Sequence, residues 1–210
     1  MSSARAGDAD VEAICFGLDG TLCTETQPTA TGLESESDAS TAGVRRQYPG
    51  EQQEEPVPAG DGGWAIADER KAIRDRTSVA PVPGARAVLE TLSDEYRLGV
   101  VTNGAPDLQR AKLEAAGLDG YVETVVCGGY ETPAKPAPEP FDVALEELDS
   151  SPDRAVHVGH SLSPDVAGAR SAGLRSVWIP RTGGESAPKQ PEPTPAYTLE
   201  SLRALTTPPW

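Results

Sequence analysis

The sequence predicts an α/β domain: a parallel sheet covered by helices on both faces. Short apolar runs with the length of buried strands (VEAICF, YRLGVVT, AVHVG, SVWI) recur along the chain. Between them lie segments with apolar residues at helical spacing, and this alternation is the pattern of parallel strands joined by crossover helices. At 210 residues the chain suits one domain with room for one insertion.

Residues 1–10 are small and polar and read as a flexible N-terminus. The first strand spans about Val11–Phe16 and stops at the turn Gly17-Leu18-Asp19-Gly20-Thr21. Residues 23–81 change character. They are rich in Thr, Ser, Glu, Pro and Gly, with too few large apolar side chains to offset ordering entropy. The segment reads as a largely disordered insertion, with a short helix docking back through Trp64 and Ile66. Pro81-Val82-Pro83-Gly84 punctuates the chain, and Ala85, Val88, Leu89 and Leu92 then follow helical spacing.

Tyr96–Thr102 reads as a buried strand ending at Asn103-Gly104. Pro106–Ala116 reads as a helix, with proline suited to its first turn and Gly117 to its stop. Tyr121–Cys127 is β-rich, and Pro133–Pro140 is a proline-studded loop holding Lys135. Phe141–Leu148 is helical, Ala155–Gly159 a strand, Asp165–Ala172 a helix, Ser176–Ile179 a strand and Leu199–Leu205 a short final helix. The core is thus 11–22 plus 82–205, and 206–210 is a tail. Ligands of such sheets bind outside the carboxyl ends of the strands. The turns after Phe16, Val101 and Val158 lie there.

Composition narrows the functions. With 33 Asp+Glu against 18 Lys+Arg, the formal net charge is −15. That argues against non-specific binding to nucleic acid or anionic membrane, which needs a basic surface. Lysine is scarce: Lys71, Lys112, Lys135 and Lys189 are the four. Excess carboxylate with little lysine suggests a halophilic, acidic proteome, the alternative being an ordinary acidic protein; salt screening makes such self-repulsion tolerable. Cys15, Cys23 and Cys127 show no paired spacing, and none is followed six residues on by arginine, so a cysteine-phosphatase loop is absent. No stretch is long enough to span a membrane, and the N-terminus does not read as a signal peptide, so a cytoplasmic protein is expected.

Four motifs carry a resemblance. Gly17-Leu18-Asp19-Gly20-Thr21-Leu22, Val101-Thr102-Asn103-Gly104, Lys135-Pro136-Ala137-Pro138, and Val158-Gly159-His160-Ser161 with Asp165 resemble, in order, those of the haloacid dehalogenase superfamily of hydrolases. The resemblance covers about Val11–Leu22 and Val82–Leu205 and implies a Rossmann-like sheet. It implies a carboxylate nucleophile that forms an aspartyl-phosphate and a second carboxylate, matched by Asp19, as general acid and base. Thr102, Asn103, Lys135 and the turn amides would hold the phosphoryl oxygens, with Lys135 also catalytic. Mg²⁺ would sit between carboxylates of the first and fourth motifs, here Asp165 and, weakly, His160.

The sequence departs from the family at two places. Gly17 stands at the nucleophile position, and glycine cannot form an acyl-phosphate. His160 stands where the family usually has Asp, and imidazole suits zinc better than magnesium. Mg²⁺ binding is therefore expected to be weakened. Gly159-His160-Ser161-Leu162-Ser163 also resembles a nucleophile elbow, but neither histidine lies beyond Ser161, which excludes that triad order. Two functions remain. One is a phosphate-binding or regulatory domain that has lost aspartyl-phosphate chemistry; the other is an active phosphatase for a phosphate monoester using Asp19 as acid and base. The partner is a phosphorylated small molecule or a protein. The insertion stands where relatives carry a helical cap and is too polar for a packed bundle, which leaves the site open.

Overall fold

The computed structural model describes residues 10–26, 78–181, 188 and 190–210. The expectations for residues 1–9 and for the body of the insertion, including a helix at Trp64 and Ile66, lie outside the described residues.

The expected sheet is present. Strands β1 (Ala13–Phe16), β4 (Arg97–Asn103), β5 (Thr124–Gly128), β6 (Ala155–Gly159), β7 (Arg175–Trp178) and β8 (Tyr197–Thr198) form it in the order β5-β4-β1-β6-β7-β8. Each neighbouring pair is parallel. β1 lies inside the sheet, and its four residues AICF are fully buried, which is why its sequence is continuously apolar rather than alternating. The pleat sends Ile14 and Phe16 to one face, and Ala13 and Cys15 to the other.

Helices cover both faces. Helix α1 (Ala85–Ser93) brings Ala85, Val88, Leu89 and Leu92 against the Ile14–Phe16 face. Helix α2 (Pro106–Ala115) adds Leu113 there. Helix α3 (Glu139–Glu147) and the short α4 (Gly168–Ser171) cover the other face through Phe141, Ala144, Leu145 and Ala169.

Two readings are corrected, and the structure adds further detail at the insertion and the tail. The helix expected over Asp165–Ala172 is a π-helical stretch, Leu162–Ala167, running into α4. The final helix is a 3₁₀ turn at Leu202–Thr206. The insertion begins and ends in an antiparallel pair, β2 (Cys23–Glu25) with β3 (Val79–Pro81). Cys23 is fully buried in the core. The tail is docked: Trp210 packs edge-on against Tyr96 and Tyr197, with ring centroids 6.1 and 6.2 Å away. One aromatic residue four places past the last helical turn is too local a signal for a sequence pattern to show.

Candidate phosphate site

The carboxyl ends of β1, β4 and β6 open on a cleft of about 530 Å³. It is lined by Gly17, Leu18 and Asp19 from the first turn, Thr102 and Asn103 from β4, Lys135, and His160, Ser161, Pro164 and Asp165 from the segment after β6. Every residue singled out from the sequence therefore meets here.

Asp165 is the centre of the arrangement. Its Oδ1 accepts from Lys135 Nζ at 2.7 Å and lies 3.1 Å from His157 Nε2. Its Oδ2 accepts from the Ser161 backbone N–H at 2.9 Å. Burial pushes this carboxyl up, but the Lys135 ammonium and the His157 hydrogen bond outweigh it and hold the group well below the usual carboxylate range. The π-helical stretch is what carries Asp165 back over Ser161. Lys135 is just as constrained: its side chain is 4% exposed and its Nζ also donates to the Val101 carbonyl at 2.6 Å. Asn103 fixes the loop of Lys135 by donating to its carbonyl at 3.0 Å and accepting from its N–H at 2.8 Å. Asn103 thus positions the lysine through its backbone.

Asp19 faces the other way. Its two oxygens accept from Lys112 Nζ at 2.8 and 2.9 Å. Lys112, 8% exposed, rises from α2, while the Asp19 side chain is 44% exposed at the mouth of the cleft. The sequence reading missed this lysine. The signal was present: Gln109, Lys112 and Leu113 share the buried face of α2, so two polar residues sit on its apolar stripe. Gln109 Nε2 donates to the Asn103 carbonyl at 3.3 Å and ties α2 to the end of β4.

Gly17 has no side chain to offer. A Cβ there would lie 3.1 Å from Thr21 Oγ1 and 3.3 Å from Asp165 Oδ1, so the position is narrow and faces the Asp165 carboxylate. The backbone N–H groups of Leu18 and Asp19 donate to no acceptor among the described residues, whereas those of Gly17, Gly20 and Thr21 are paired. The Thr102 hydroxyl, on a residue 4% exposed, likewise has no protein partner among the described residues.

His160 is half-buried, with Nδ1 3.4 Å from Thr21 Oγ1 and 3.8 Å from Asp165 Oδ2. Burial lowers its pKa, and the Asp165 carboxylate only partly offsets that. His157 is buried in β6 against Phe141, ring centroids 4.9 Å apart, and supports Asp165 from behind. Burial lowers its pKa as well. The three thiols are buried, and burial pushes Cys15 and Cys23 up to about 12 and Cys127 to about 11, so none supplies a thiolate at neutral pH.

These features define an α/β scaffold with a buried lysine–carboxylate pair and a turn with unpaired backbone N–H groups at one end of a parallel sheet. The chain belongs to the haloacid dehalogenase-like hydrolases, whose family model matches residues 11–173. It is 37% identical over 121 residues to the rat (Rattus norvegicus) N-acylneuraminate-9-phosphatase, covering 57% of this chain and 48% of that protein. It is 38% identical over 134 residues to a phosphoserine phosphatase of Thermus thermophilus, covering 63% and 53%. The chain thus spans about half the length of the curated relatives it matches. Among solved structures, a phosphatase from Thermococcus onnurineus superposes with a TM-score of 0.62 over 93% of this chain and 96% of that one; at 23% identity this bears on fold alone.

The family normally uses Mg²⁺. A magnesium ion wants oxygen ligands, commonly one or two carboxylates. Position 17 supplies none, both Asp165 oxygens are engaged within the protein, and Asp19 is held by Lys112. Among the described residues no group of three or more His, Cys, Asp or Glu side chains is placed to hold a metal ion. The residues present do not fit a magnesium site.

Proposed function

We propose that this protein binds a phosphorylated ligand and has lost aspartyl-phosphate turnover. The observation that carries the reading is the state of the carboxylates: position 17 has none, and Asp19 and Asp165 are each paired with a lysine. An aspartyl-phosphate needs a free carboxylate aimed at phosphorus. Asp165 points its oxygens at Lys135, His157 and Ser161 instead.

Charge supports binding without metal. Two lysines and two carboxylates pair off across the cleft, so no surplus negative charge is left for a divalent ion to neutralise. The unpaired N–H groups of Leu18 and Asp19 and the Thr102 hydroxyl are oxyanion donors of the kind a phosphate accepts. Lys135 lies at the base of the cleft with its charge balanced by Asp165. Weakened Mg²⁺ binding belongs to the same proposal, as do a phosphorylated small molecule or protein as partner.

Calorimetry with inorganic phosphate tests this, once in Mg²⁺ and once in EDTA. The expected result is the same affinity in both. Binding that needs Mg²⁺ contradicts the proposal. The alternative, an active phosphatase using Asp19 as acid and base, draws on relatives named as phosphatases. It requires Asp19 to leave Lys112, and turnover abolished by Asp19→Asn would establish it.

A further inference from the structure

We propose that a second cleft, behind the ring of His160, is an anion subsite, so that the ligand is a phosphate ester carrying a second oxyanion, either carboxylate or phosphate. This rests on the phosphate-binding reading of the first cleft. The second cleft measures about 340 Å³ and lies between the turn after β1, the residues leading into α1 and the segment after β7. Arg181, Thr21, Thr24 and Ser201 line it beside apolar residues such as Ile179 and Leu202, with Glu200 at an exposed position.

The two clefts share one partition. His160 lines the first cleft; Gly20 and Thr21 line the second. A Cβ on Gly20 would stand 3.0 to 3.1 Å from three atoms of the His160 ring, so the ring lies flat on that glycine, whose φ of 76° also favours glycine. Thr21 Oγ1, at 3.4 Å from His160 Nδ1, joins ring and second cleft from the side. A ligand seated at Lys135 and the first turn therefore meets Arg181 by passing one imidazole.

Arg181 suits the role. It makes no ion pair among the described residues, and a guanidinium binds carboxylate and phosphate through a planar fork. It also disfavours protonation of His160, which places its charge within reach of the ring. Glu200 opposes a second anion and sets a limit on the gain. The formal net charge of −15 means the molecule as a whole repels added negative charge, so any gain from a second oxyanion is local.

The test measures calorimetric affinities for a series of α,ω-alkanediol bisphosphates, two to six carbons long, against the matching monophosphates. At one chain length the bisphosphate binds at least about tenfold tighter than its monophosphate, the gain expected when a tethered second group finds its own site. Arg181→Gln removes that gain and leaves the monophosphate affinity unchanged, while Glu200→Gln increases the gain. Equal affinities at every length, or a gain that survives Arg181→Gln, overturn the second subsite and leave the first standing. If neither series binds, the phosphate reading itself fails and takes the second subsite with it.

Discussion

At the scale of single residues, the two lysines that pair with cleft carboxylates look alike in sequence and differ in consequence. Lys135 and Asp165 are buried together, so removing one partner strands a charge in the interior. Lys135→Met is expected to cost about 3–5 kcal/mol of stability, the usual price of breaking a buried pair. Lys112 faces a carboxylate that is nearly half exposed and that water solvates once the pair is broken. Lys112→Met is expected to cost no more than about 1 kcal/mol. Urea melts of the two variants check the contrast, and equal losses contradict this account of the cleft.

The same residues set a pH profile. The folded-state pKa of Asp165 is lowered, so its contribution is present above the ordinary value of 3.8 and is lost as pH falls toward the folded value. His157 and His160 are also lowered, so theirs is present above 6.5 and declines as pH falls below it. Stability is therefore expected to fall in two stages on acidification, first below about 6.5 and again below about 3.8. His157→Gln flattens the upper stage in melts taken from pH 8 to 4. An unchanged upper slope would show that burial of His157 does not govern it.

At the scale of elements, the site is made by strand ends and by two irregular pieces. Strand ends were legible: Gly17, Thr102 and Asp165 follow apolar runs that read as strands, and Lys135 sits in a loop punctuated by proline. The π-helical stretch was not legible, because Leu162–Ala167 has the composition of an ordinary helix start and π geometry leaves no spacing signature in six residues. The pairing of β2 with β3 was hidden because its partners stand some 55 residues apart in sequence. The contact of Lys112 with Asp19 joins residues 93 apart, and a side chain reaching across that separation has no local pattern. The turn after β1 provides a prediction of its own. Gly20→Ala places a Cβ at positive φ against the His160 ring, and is expected to cost about 1–2 kcal/mol from the backbone alone. NMR of the imidazole should report a shifted ring; an unmoved ring with unchanged stability rejects this reading of the turn.

At the scale of the whole molecule, the family fold is retained on a strongly acidic chain. The acidic surface predicts a melting temperature that rises with KCl, because screening relieves self-repulsion. A melt that is flat in KCl would place the excess carboxylates in local pairs instead. Among the described residues no helix is long and apolar enough to cross a membrane. The proposed loss of turnover rests on Gly17 and His160 in the sequence and, in the fold, on the pairing of Asp19 and Asp165 with a lysine each.

The most direct test of lost turnover is an aryl phosphate assay with Mg²⁺, Mn²⁺ or Zn²⁺ in molar salt, on the natural protein and on the Gly17→Asp/His160→Asp variant. The expected result is no turnover by the natural protein with any of the three ions, and Mg²⁺-dependent turnover once both carboxylates are restored. Robust turnover by the natural protein, abolished by Asp19→Asn, would contradict it.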